Sequence, residues 1–509
     1  MSTWTSGYIA DLDYTYGFYR ELTPELLRFV ALVKGIGGIA PGSSQRYCEL
    51  GCGQGFSANL IAAANPQWEV YATDFNPAHI AGAQSLAAAA GTSNLHFFDH
   101  SFAEFLQEPS LPQFDIICLH GIYSWIAVEH RRTIVEFIRT KLKPGGLVYI
   151  SYNCLPGWSA AAPMRHLMYL HSKTQGGPTS GRIGPALAFV AQLIDVNAAY
   201  FQQNASLAPR FERLKAQNPN YLGHEYFNDV WTPLYFSDVA SELGEAKLSY
   251  VGSAALLEHL DVLNLSEDQQ KLLGAIADPI MGETVRDYLV NQQFRRDVYS
   301  KGAVPLSPLS SQAAWQQLRV ALSTPAPHVP LKVICARGEA KLQSEFYGPL
   351  LDALATGPKT VQELIAEPAI AKFGWQKLQQ SLMVLVGAGH LQPALTAANE
   401  PSRRQSTQAF NAAVIERARA SADLAFLASP VTGGGVQVDR INQLFLLARR
   451  EQQPDPAKFV WAILNDQGQS LMRNGKAIAS PAENIAELQS RWEKFTAIQI
   501  PILQQLGIV

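Results

Sequence analysis

Three glycines, Gly51, Gly53 and Gly55, occur at every second position between a short apolar segment and a stretch with the apolar spacing of a helix. Glycine adopts positive φ freely and lets another molecule approach the main chain closely. Open α/β sheets bind their ligands at the carboxyl ends of strands, which is where such a turn would lie. The spacing therefore predicts a nucleotide-type ligand held against bare backbone.

Two carboxylates accompany these glycines. Glu49 lies two residues before the first glycine, and Asp74 ends the next apolar segment, 69–73. Asp74 can accept hydrogen bonds from both hydroxyls of a ribose, and Glu49 can face an ammonium group, directly or through water. A dinucleotide fingerprint needs its third glycine three residues after the second, whereas Gly55 follows Gly53 after two. This turn is therefore not expected to bind a pyrophosphate.

The run Glu-Leu-Gly-Cys-Gly-Gln-Gly at 49–55 resembles motif I of the class I S-adenosylmethionine methyltransferases, and Leu-Lys-Pro-Gly-Gly at 142–146 resembles a second signature of that family. The resemblance implies S-adenosylmethionine as the cofactor. The cofactor-binding residues that we predict are Glu49, Gly51, Cys52, Gly53, Gly55, Asp74, Phe75, Asp99, Ser101, Phe102, His120 and Tyr16. Many family members bind the adenine amino group with an Asp where this chain has Ser101. Asp99 is then either that acceptor or the cap of a helix that begins near Phe102.

Helical and strand patterns alternate along the first 300 residues, as a doubly wound sheet requires. The predicted fold class is α/β, with a Rossmann-like seven-stranded class I methyltransferase core in residues 1–302. The predicted strands cover 47–50, 69–73, 94–98, 114–119, 147–152, 246–251 and 294–299. A helical insertion at about 157–229 is expected between the fifth and sixth strands, where it would cover the active site.

Aromatic residues follow the fourth and fifth predicted strands, where the family resemblance implies the methyl acceptor. Tyr123, Trp125, Tyr152 and Asn153 form the predicted acceptor pocket. Aromatic walls can enclose a lysine stem and stabilise a cation through π contacts. Tyr14, Tyr16 and Tyr19 are further aromatic candidates over the top of this pocket.

An amine acceptor must lose its proton before it attacks, since the pKa of a free lysine is about 10.4. The candidate proton acceptors are Asn153, His120 and the hydroxyls of Tyr123 and Tyr152. Glu225 lies where the insertion rejoins the core. It either orients the acceptor ammonium or has a structural role.

A narrower resemblance extends over several further segments. These are 14–22, 74–79, 120–125, 151–158 and 289–297. They are similar to bacterial methyltransferases with a "methyltransferase regulatory domain", which include rickettsial-type protein lysine methyltransferases of outer membrane protein B. The resemblance implies a protein substrate, such as an outer-membrane protein before export. Two alternatives stay open: a small-molecule N- or O-methyltransferase, and a cofactor-binding regulator.

The last two hundred residues read as an accessory region. Pro- and Ser-rich sequence at 303–330 predicts a linker, and 331–509 a mainly helical C-terminal domain. The succession of three helical segments in 345–395 is typical of a winged helix, but Lys372 and Lys377 are the only basic residues around its candidate recognition helix. Nucleic-acid binding normally needs a basic footprint, so protein binding or a homodimer is favoured over nucleic acid.

The composition of the chain narrows the classes of function and location that remain. The chain has 509 residues, of which 47% are hydrophobic and 16% charged, with a formal net charge of −3, so it offers no bulk attraction to nucleic acid. No apolar run is long enough to span a membrane, and the N-terminus lacks a signal-peptide pattern, which predicts a cytoplasmic protein. The five cysteines form no zinc-type pair, and no metal site is expected.

Overall fold

The structure is a computed structural model that describes residues 16–38, 44–473 and 475–509. Its first elements are a 3₁₀ turn at Arg20–Leu22, helix α1 at Pro24–Val33 and strand β1 at Ile36–Gly37. Across the described ranges, none of the helices combines the length and apolar character needed to cross a membrane.

A central sheet organises the first 300 residues, and seven of the described strands form it. They are β2 (Arg46–Leu50), β3 (Glu69–Thr73), β4 (Leu95–Phe98), β5 (Phe114–Leu119), β6 (Leu142–Asn153), β7 (Leu248–Ser253) and β8 (Phe294–Lys301). Their order is β4-β3-β2-β5-β6-β8-β7, and only β8 runs antiparallel to its neighbours. The predicted α/β, Rossmann-like seven-stranded core is confirmed.

Four helices connect the first five strands of this sheet. They are α2 (Phe56–Ala64), α3 (Pro77–Ala90), α4 (Phe102–Gln107) and α5 (Val128–Lys141). Local chemistry sets their ends: Asn76 caps α3 by accepting a hydrogen bond from the Ala78 amide, and Gly91 ends it in the left-handed conformation. Ser101 and Glu104 form a reciprocal capping box at α4.

The segment between β6 and β7 is helical, as predicted. It comprises α6 (Ala162–Lys173), α7 (Thr179–Asp195), α8 (Ala199–Gln203), α9 (Leu207–Lys215), α10 (Pro219–Tyr226) and, next to β7, α11 (Phe236–Gly244). Helices α6 to α10 bury an apolar cluster of their own that includes Met164, Val190 and Phe211. Before β8 follow a 3₁₀ turn at Leu256–His259 and helices α12 (Asp261–Asn264), α13 (Glu267–Gly274) and α14 (Pro279–Val290).

The segment predicted as a linker, 303–330, contains regular structure. It holds β9 (Val304–Pro305), which pairs with β1, then α15 (Pro308–Gln317) and β10 (Arg319–Leu322). Strand β10 lies between two later strands in a sheet with β13 and β14, so it belongs to the winged-helix-like region. Propensity alone does not reveal this, because the strand is held by partners far along the chain.

The winged-helix-like region packs onto the core. Its elements are β11 (Lys332–Cys335), β12 (Gly338–Lys341), α16 (Ser344–Ala355), β13 (Lys359–Thr360), α17 (Val361–Ala366), α18 (Pro368–Ala371), α19 (Trp375–Gly387) and β14 (Leu391–Ala394). Helix α19 is the predicted recognition helix, and it buries Leu378, Leu382 and Leu385. At its end, a Cβ on Gly387 would lie 2.9 Å from Leu257 of the core.

The last elements of the chain follow the winged-helix-like region. They are α20 (Glu400–Arg417), β15 (Phe426–Ala428), β16 (Gly435–Gln437), α21 (Arg440–Arg450), α22 (Pro456–Asp466), β17 (Met472–Arg473), β18 (Lys476–Ala477), α23 (Pro481–Lys494), a π-helical turn at Phe495–Gln499 and α24 (Ile500–Gln505). Helix α20 lies against α2 and α3 of the core. Its buried Arg403 donates to the carbonyls of Pro430, Ala398 and Thr396, so the guanidinium is satisfied inside the protein.

Candidate active site

The glycine turn after β2 lines a cavity at the carboxyl edge of the sheet, called the central cavity below. Gly51, Gly53 and Gly55 all have positive φ, of 68°, 52° and 63°. A Cβ on Gly51 would lie 1.9 Å from Ile122 Cδ1, so a larger residue would displace the Ile122 side chain and would also adopt a positive φ that favours glycine. At Gly53 none of the described atoms lies within 4 Å of that position. Gly53 therefore leaves open space against its backbone, which a ligand can fill.

Asp74 organises this turn and faces the central cavity. Its Oδ2 accepts a hydrogen bond from the Gly53 amide at 3.0 Å, and its Oδ1 accepts from the Asn76 amide at 3.0 Å. His79 Nδ1 lies 3.2 Å from the same Oδ1. Each carboxylate oxygen has two lone pairs, so acceptor capacity is left at Oδ2 for a hydroxyl of a ligand.

Glu49 is a buried carboxyl that lines the same cavity. Its Oε2 has no hydrogen-bond partner among the described residues. Burial, and secondarily the nearby charge of Asp74, raises the pKa of Glu49 to about 8. A buried polar atom without a partner is costly, so an ammonium group of a ligand beside Glu49 would relieve both the missing bond and the electrostatic strain.

His120 forms the opposite wall of the central cavity. Its ring stacks on Tyr19, with centroids 3.7 Å apart, and its Nδ1 lies 2.9 Å from the Tyr149 hydroxyl. Burial, assisted by the charge of Arg296, lowers the pKa of His120 to about 3. The imidazole is therefore neutral at physiological pH and adds no positive charge to the site.

Ten of the predicted site residues line the central cavity. They are Glu49, Gly51, Cys52, Gly53, Asp74, Phe75, Ser101, Phe102, His120 and Trp125. Ser101 also caps α4, so the alternative in which Asp99 caps this helix is wrong. Asp99 itself is exposed and does not line the cavity.

The remaining predicted residues lie elsewhere. Gly55 packs against Ala83 and Phe97, and the Tyr16 ring lies under Arg417, 4.7 Å from its guanidinium carbon. Tyr14 lies outside the described residues.

Three of the four predicted acceptor residues do not line the central cavity. Tyr123 donates to Glu242 at 2.5 Å, and Tyr152 donates to Asp297 at 2.7 Å. The backbone N–H of the buried Asn153 donates to Ser124 Oγ. The hydroxyls of Tyr123 and Tyr152 are used within the core, because α11 and β8 bring carboxylates to them from more than a hundred residues away.

Several residues that line the central cavity were not among the predicted site residues. They are Gly17, Tyr19, Gln54, Phe56, Ser57, His79, His100, Gly121, Ile122, Ile126 and His130. Tyr19 carried a sequence signal as one of the aromatic candidates near the N-terminus. His79 lies in the segment 74–79 that carries the family resemblance, whereas His100 and His130 carried no sequence signal.

The charged groups that line the central cavity suit a nucleoside with a positive charge. Among the described residues, neither a lysine nor an arginine lines the central cavity, and its carboxylates are Glu49 and Asp74. S-adenosylmethionine has a ribose, an ammonium group and a sulfonium. Asp74 suits the ribose, Glu49 suits the ammonium, and the neutral wall around His120 leaves the sulfonium without a repelling cation.

Two family models match the chain. "Methyltransferase domain" covers residues 48–148, and "Predicted methyltransferase regulatory domain" covers residues 218–301. The chain is 45% identical to the uncharacterized protein sll1526 of Synechocystis sp., over 99% of this chain and 100% of that one. The chain belongs to the class I S-adenosylmethionine methyltransferases with a methyltransferase regulatory domain. This methyltransferase takes S-adenosylmethionine as its cofactor, as predicted.

More distant similarities agree with the fold. The uncharacterized protein RP789 of Rickettsia prowazekii is 27% identical over 50% of this methyltransferase and 45% of its own length. The structure of PKMT2 from Rickettsia typhi in complex with AdoHcy is similar with a TM-score of 0.70 at 17% identity, over 97% of this chain and 100% of that chain. This likeness extends the shared fold through the C-terminal elements.

Proposed function

We propose that this methyltransferase transfers a methyl group to the side-chain nitrogen of lysine in a protein substrate. The observation that carries the proposal is the charge of the central cavity, which offers two carboxylates, aromatic rings and the neutral imidazole of His120 to a cationic donor and an amine. The full-length fold likeness to PKMT2, a rickettsial lysine methyltransferase, supports the same acceptor class.

The stack of Tyr19 on His120 offers a wall for the acceptor. The flat faces of two rings 3.7 Å apart exclude water from one side of an aliphatic stem. Trp125 lines the same cavity and packs against Trp231, with centroids 6.2 Å apart. Exclusion of water favours the neutral amine, which is the form that attacks.

Glu225 is our candidate for accepting the proton that the ammonium must lose. Burial raises its pKa to about 7, in the range where a carboxylate can act as a base at physiological pH. Burial raises the pKa of Tyr221 on the same helix α10, and the nearby charges of Glu225 and Tyr19 raise it further.

The reaction is a direct displacement. The lysine nitrogen forms a bond to the methyl carbon while the bond from that carbon to sulfur breaks, and the electron pair of that bond goes to sulfur. The bound cofactor supplies the activated methyl group and leaves as S-adenosylhomocysteine. The residues of the chain bind and orient both partners, which is the main requirement for an in-line transfer.

Within this proposal the protein acts in the cytoplasm, and an outer-membrane protein before export is the first substrate class to test. We assign the C-terminal region to substrate docking or to pairing of two copies. Light scattering of the purified chain separates these two roles, since only the second predicts a mass of two chains.

The test supplies methyl-labelled S-adenosylmethionine and the purified enzyme to a proteome extract and, separately, to a small-molecule extract. We expect base-stable label in protein, recovered as methyl-lysine after acid hydrolysis. Asp74→Ala serves as the control for cofactor-dependent label, and Asp99→Ala as the matched variant of an exposed carboxylate.

Label confined to small molecules would overturn the lysine proposal and would indicate a small-molecule methyltransferase instead. Labelled protein that yields methylated residues other than lysine would overturn it as well. A Glu225→Gln variant tests whether Glu225 accepts the proton, independently of which kind of molecule is methylated. It should bind S-adenosylhomocysteine normally and lose turnover below pH 8, with partial recovery at higher pH.

A further inference from the structure

A second cavity, of about 610 Å³, lies beside the central cavity and is called the polar cavity below. It is enclosed by the ends of β7 and β8, by α14, by Arg20 and Glu21, and by the C-terminal region at Ala336 and Gly387. Most of the wall falls within residues 218–301, the part that matches the regulatory-domain model. Its volume is large enough for a segment of several residues.

The two cavities share a wall. Tyr19 and His120 line the central cavity, and Arg20, which directly follows Tyr19 in the chain, lines the polar cavity. Phe294 has its ring centroid 6.2 Å from that of His120, and the guanidinium carbon of Arg296 lies 5.4 Å from the Phe294 ring. A group bound in the polar cavity is therefore close to one bound at the Tyr19 and His120 wall.

Two arginines of the polar cavity are already neutralised. Arg286 donates to Asp261 at 2.5 Å and to Glu283 at 3.1 Å. Arg295 donates to Asp297 at 2.9 Å and to Asp287 at 2.5 Å. These pairs are part of the structure of the wall. They offer little charge to a ligand.

Three other cations, Arg20, Lys34 and Arg296, line the polar cavity without a carboxylate oxygen at hydrogen-bond distance among the described residues. Arg20 donates instead to the backbone carbonyls of Val386 and Gly387. The nearest carboxylate oxygen to Arg296 is that of Glu21, at 3.8 Å, which is beyond hydrogen-bond distance. The side chain of Lys34 makes neither a hydrogen bond nor a salt bridge within the described residues, and its stem packs beside His259 at Gly252. Lys34 is exposed, yet desolvation and the charge of Arg286 lower its pKa, while the carboxylates of Glu283 and Asp261 oppose this shift.

His259 does not supply a further charge. Its Nε2 lies 2.6 Å from the Ser253 carbonyl and acts as donor, while burial lowers the pKa of the ring to about 4. Arg20 is held by backbone carbonyls, and burial raises the pKa of Glu258, whose oxygens accept from Ser253 Oγ and Gln292 Nε2. Lys34 and Arg296 are therefore the lining cations that remain available to a carboxylate of a ligand, with Glu21 3.8 Å from Arg296.

We propose that the polar cavity binds acidic side chains that flank the methylated lysine of the substrate, with Arg296 and Lys34 as their partners. This inference rests on the proposed lysine acceptor and adds the sequence class of the substrate. An extended peptide advances about 3.5 Å per residue, so residues one to three positions from the target lysine reach from the shared wall into the polar cavity.

The test maps the lysines that the enzyme labels in a proteome extract, by mass spectrometry, for the wild type and for the charge-reversal variants Lys34→Glu and Arg296→Glu. We expect wild-type sites to carry Asp or Glu within three residues at least about fivefold more often than unlabelled lysines do. The reversal variants should shift the preference towards Lys or Arg at these positions. A fold defect cannot produce such a gain.

Lys271→Glu is the matched control, because Lys271 lies on the exposed face of α13 and pairs only with Asp268. It should keep the wild-type preference, and all variants should bind S-adenosylhomocysteine as the wild type does. Reversal variants that label lysines with the unchanged acidic preference would overturn the inference while leaving the lysine proposal intact. Inhibition by free succinate without any flank preference would also overturn it, since the cavity would then take a free carboxylate. Absence of labelled lysine from all samples would refute the proposed function itself.

Discussion

Replacement of Asp74 by Ala should weaken the binding of S-adenosylhomocysteine without unfolding the protein. The side chain has two roles in the structure. It accepts backbone hydrogen bonds from Gly53 and Asn76, and its carboxylate faces the central cavity with acceptor capacity left at Oδ2. Alanine removes both the acceptors and the negative charge.

The magnitude follows from the number of bonds lost. A hydrogen bond to a charged group contributes about 1.5 to 3 kcal/mol, and one such bond to a ribose hydroxyl is the smallest loss that the geometry allows. This corresponds to an affinity about 10- to 150-fold lower, since every 1.4 kcal/mol is tenfold. Asp74→Asn keeps one acceptor oxygen and should fall between the wild type and the alanine variant.

Calorimetric titration with S-adenosylhomocysteine measures this loss directly. A melting curve of each variant without ligand measures the separate contribution of the bonds to Gly53 and Asn76. Asp99→Ala is the matched control, because Asp99 is exposed and does not line the cavity, and its affinity should lie within about twofold of the wild type.

Equal affinity of Asp74→Ala and the wild type would refute the reasoning, because the ribose would then be held elsewhere. A large loss of affinity together with a collapse of the ligand-free melting temperature would also contradict it. That result would mean that Asp74 acts through the order of the turn rather than through direct contact.

Three further predictions concern the same core. Burial raises the pKa of Glu49 to about 8, and the ammonium group of a ligand favours the ionised form of this carboxyl. The affinity for S-adenosylhomocysteine should therefore rise from pH 6 to 8, and binding should release a proton. Calorimetry in buffers of different ionisation heat should show this proton release in the wild type and its loss in Glu49→Gln. Gly51→Ala should lower the free energy of unfolding by about 1 to 3 kcal/mol in urea titrations, because its Cβ would lie 1.9 Å from Ile122 Cδ1 at a φ of 68°. If the losses of Gly51→Ala and Ile122→Ala simply add in the double variant, the proposed clash is contradicted. Arg295→Met leaves the buried Asp297 without its cation and should cost about 3 to 5 kcal/mol by the same titration; an unchanged midpoint would show that the buried pair is dispensable.

The cofactor turn was predictable because its chemistry is local. Glycine at 51 and 53 permits the positive φ that the turn adopts, and the short apolar segments before the turn and before Asp74 are typical of buried parallel strands. The capping residues of α3 and α4 are equally local. For these features, sequence neighbours are also neighbours in space.

The acceptor side was less predictable for the opposite reason. Tyr123 and Tyr152 follow strands in the expected places, yet Glu242 and Asp297 take their hydroxyls into the core. Helix α20 begins within the polar segment 397–407, which by composition alone favours a loop. Packing against α2 and α3 stabilises this helix where local propensity does not.

The sequence by itself determined the fold class, the cofactor and the position of the glycine turn at the carboxyl edge of the sheet. Only the tertiary structure decided which aromatic rings face the central cavity, and that Tyr19 and His120 form one of its walls beside a second, charged cavity. The physical reason is that strand and turn formation depend on nearest neighbours along the chain. The direction in which a side chain is buried depends instead on the partners that distant segments bring to it.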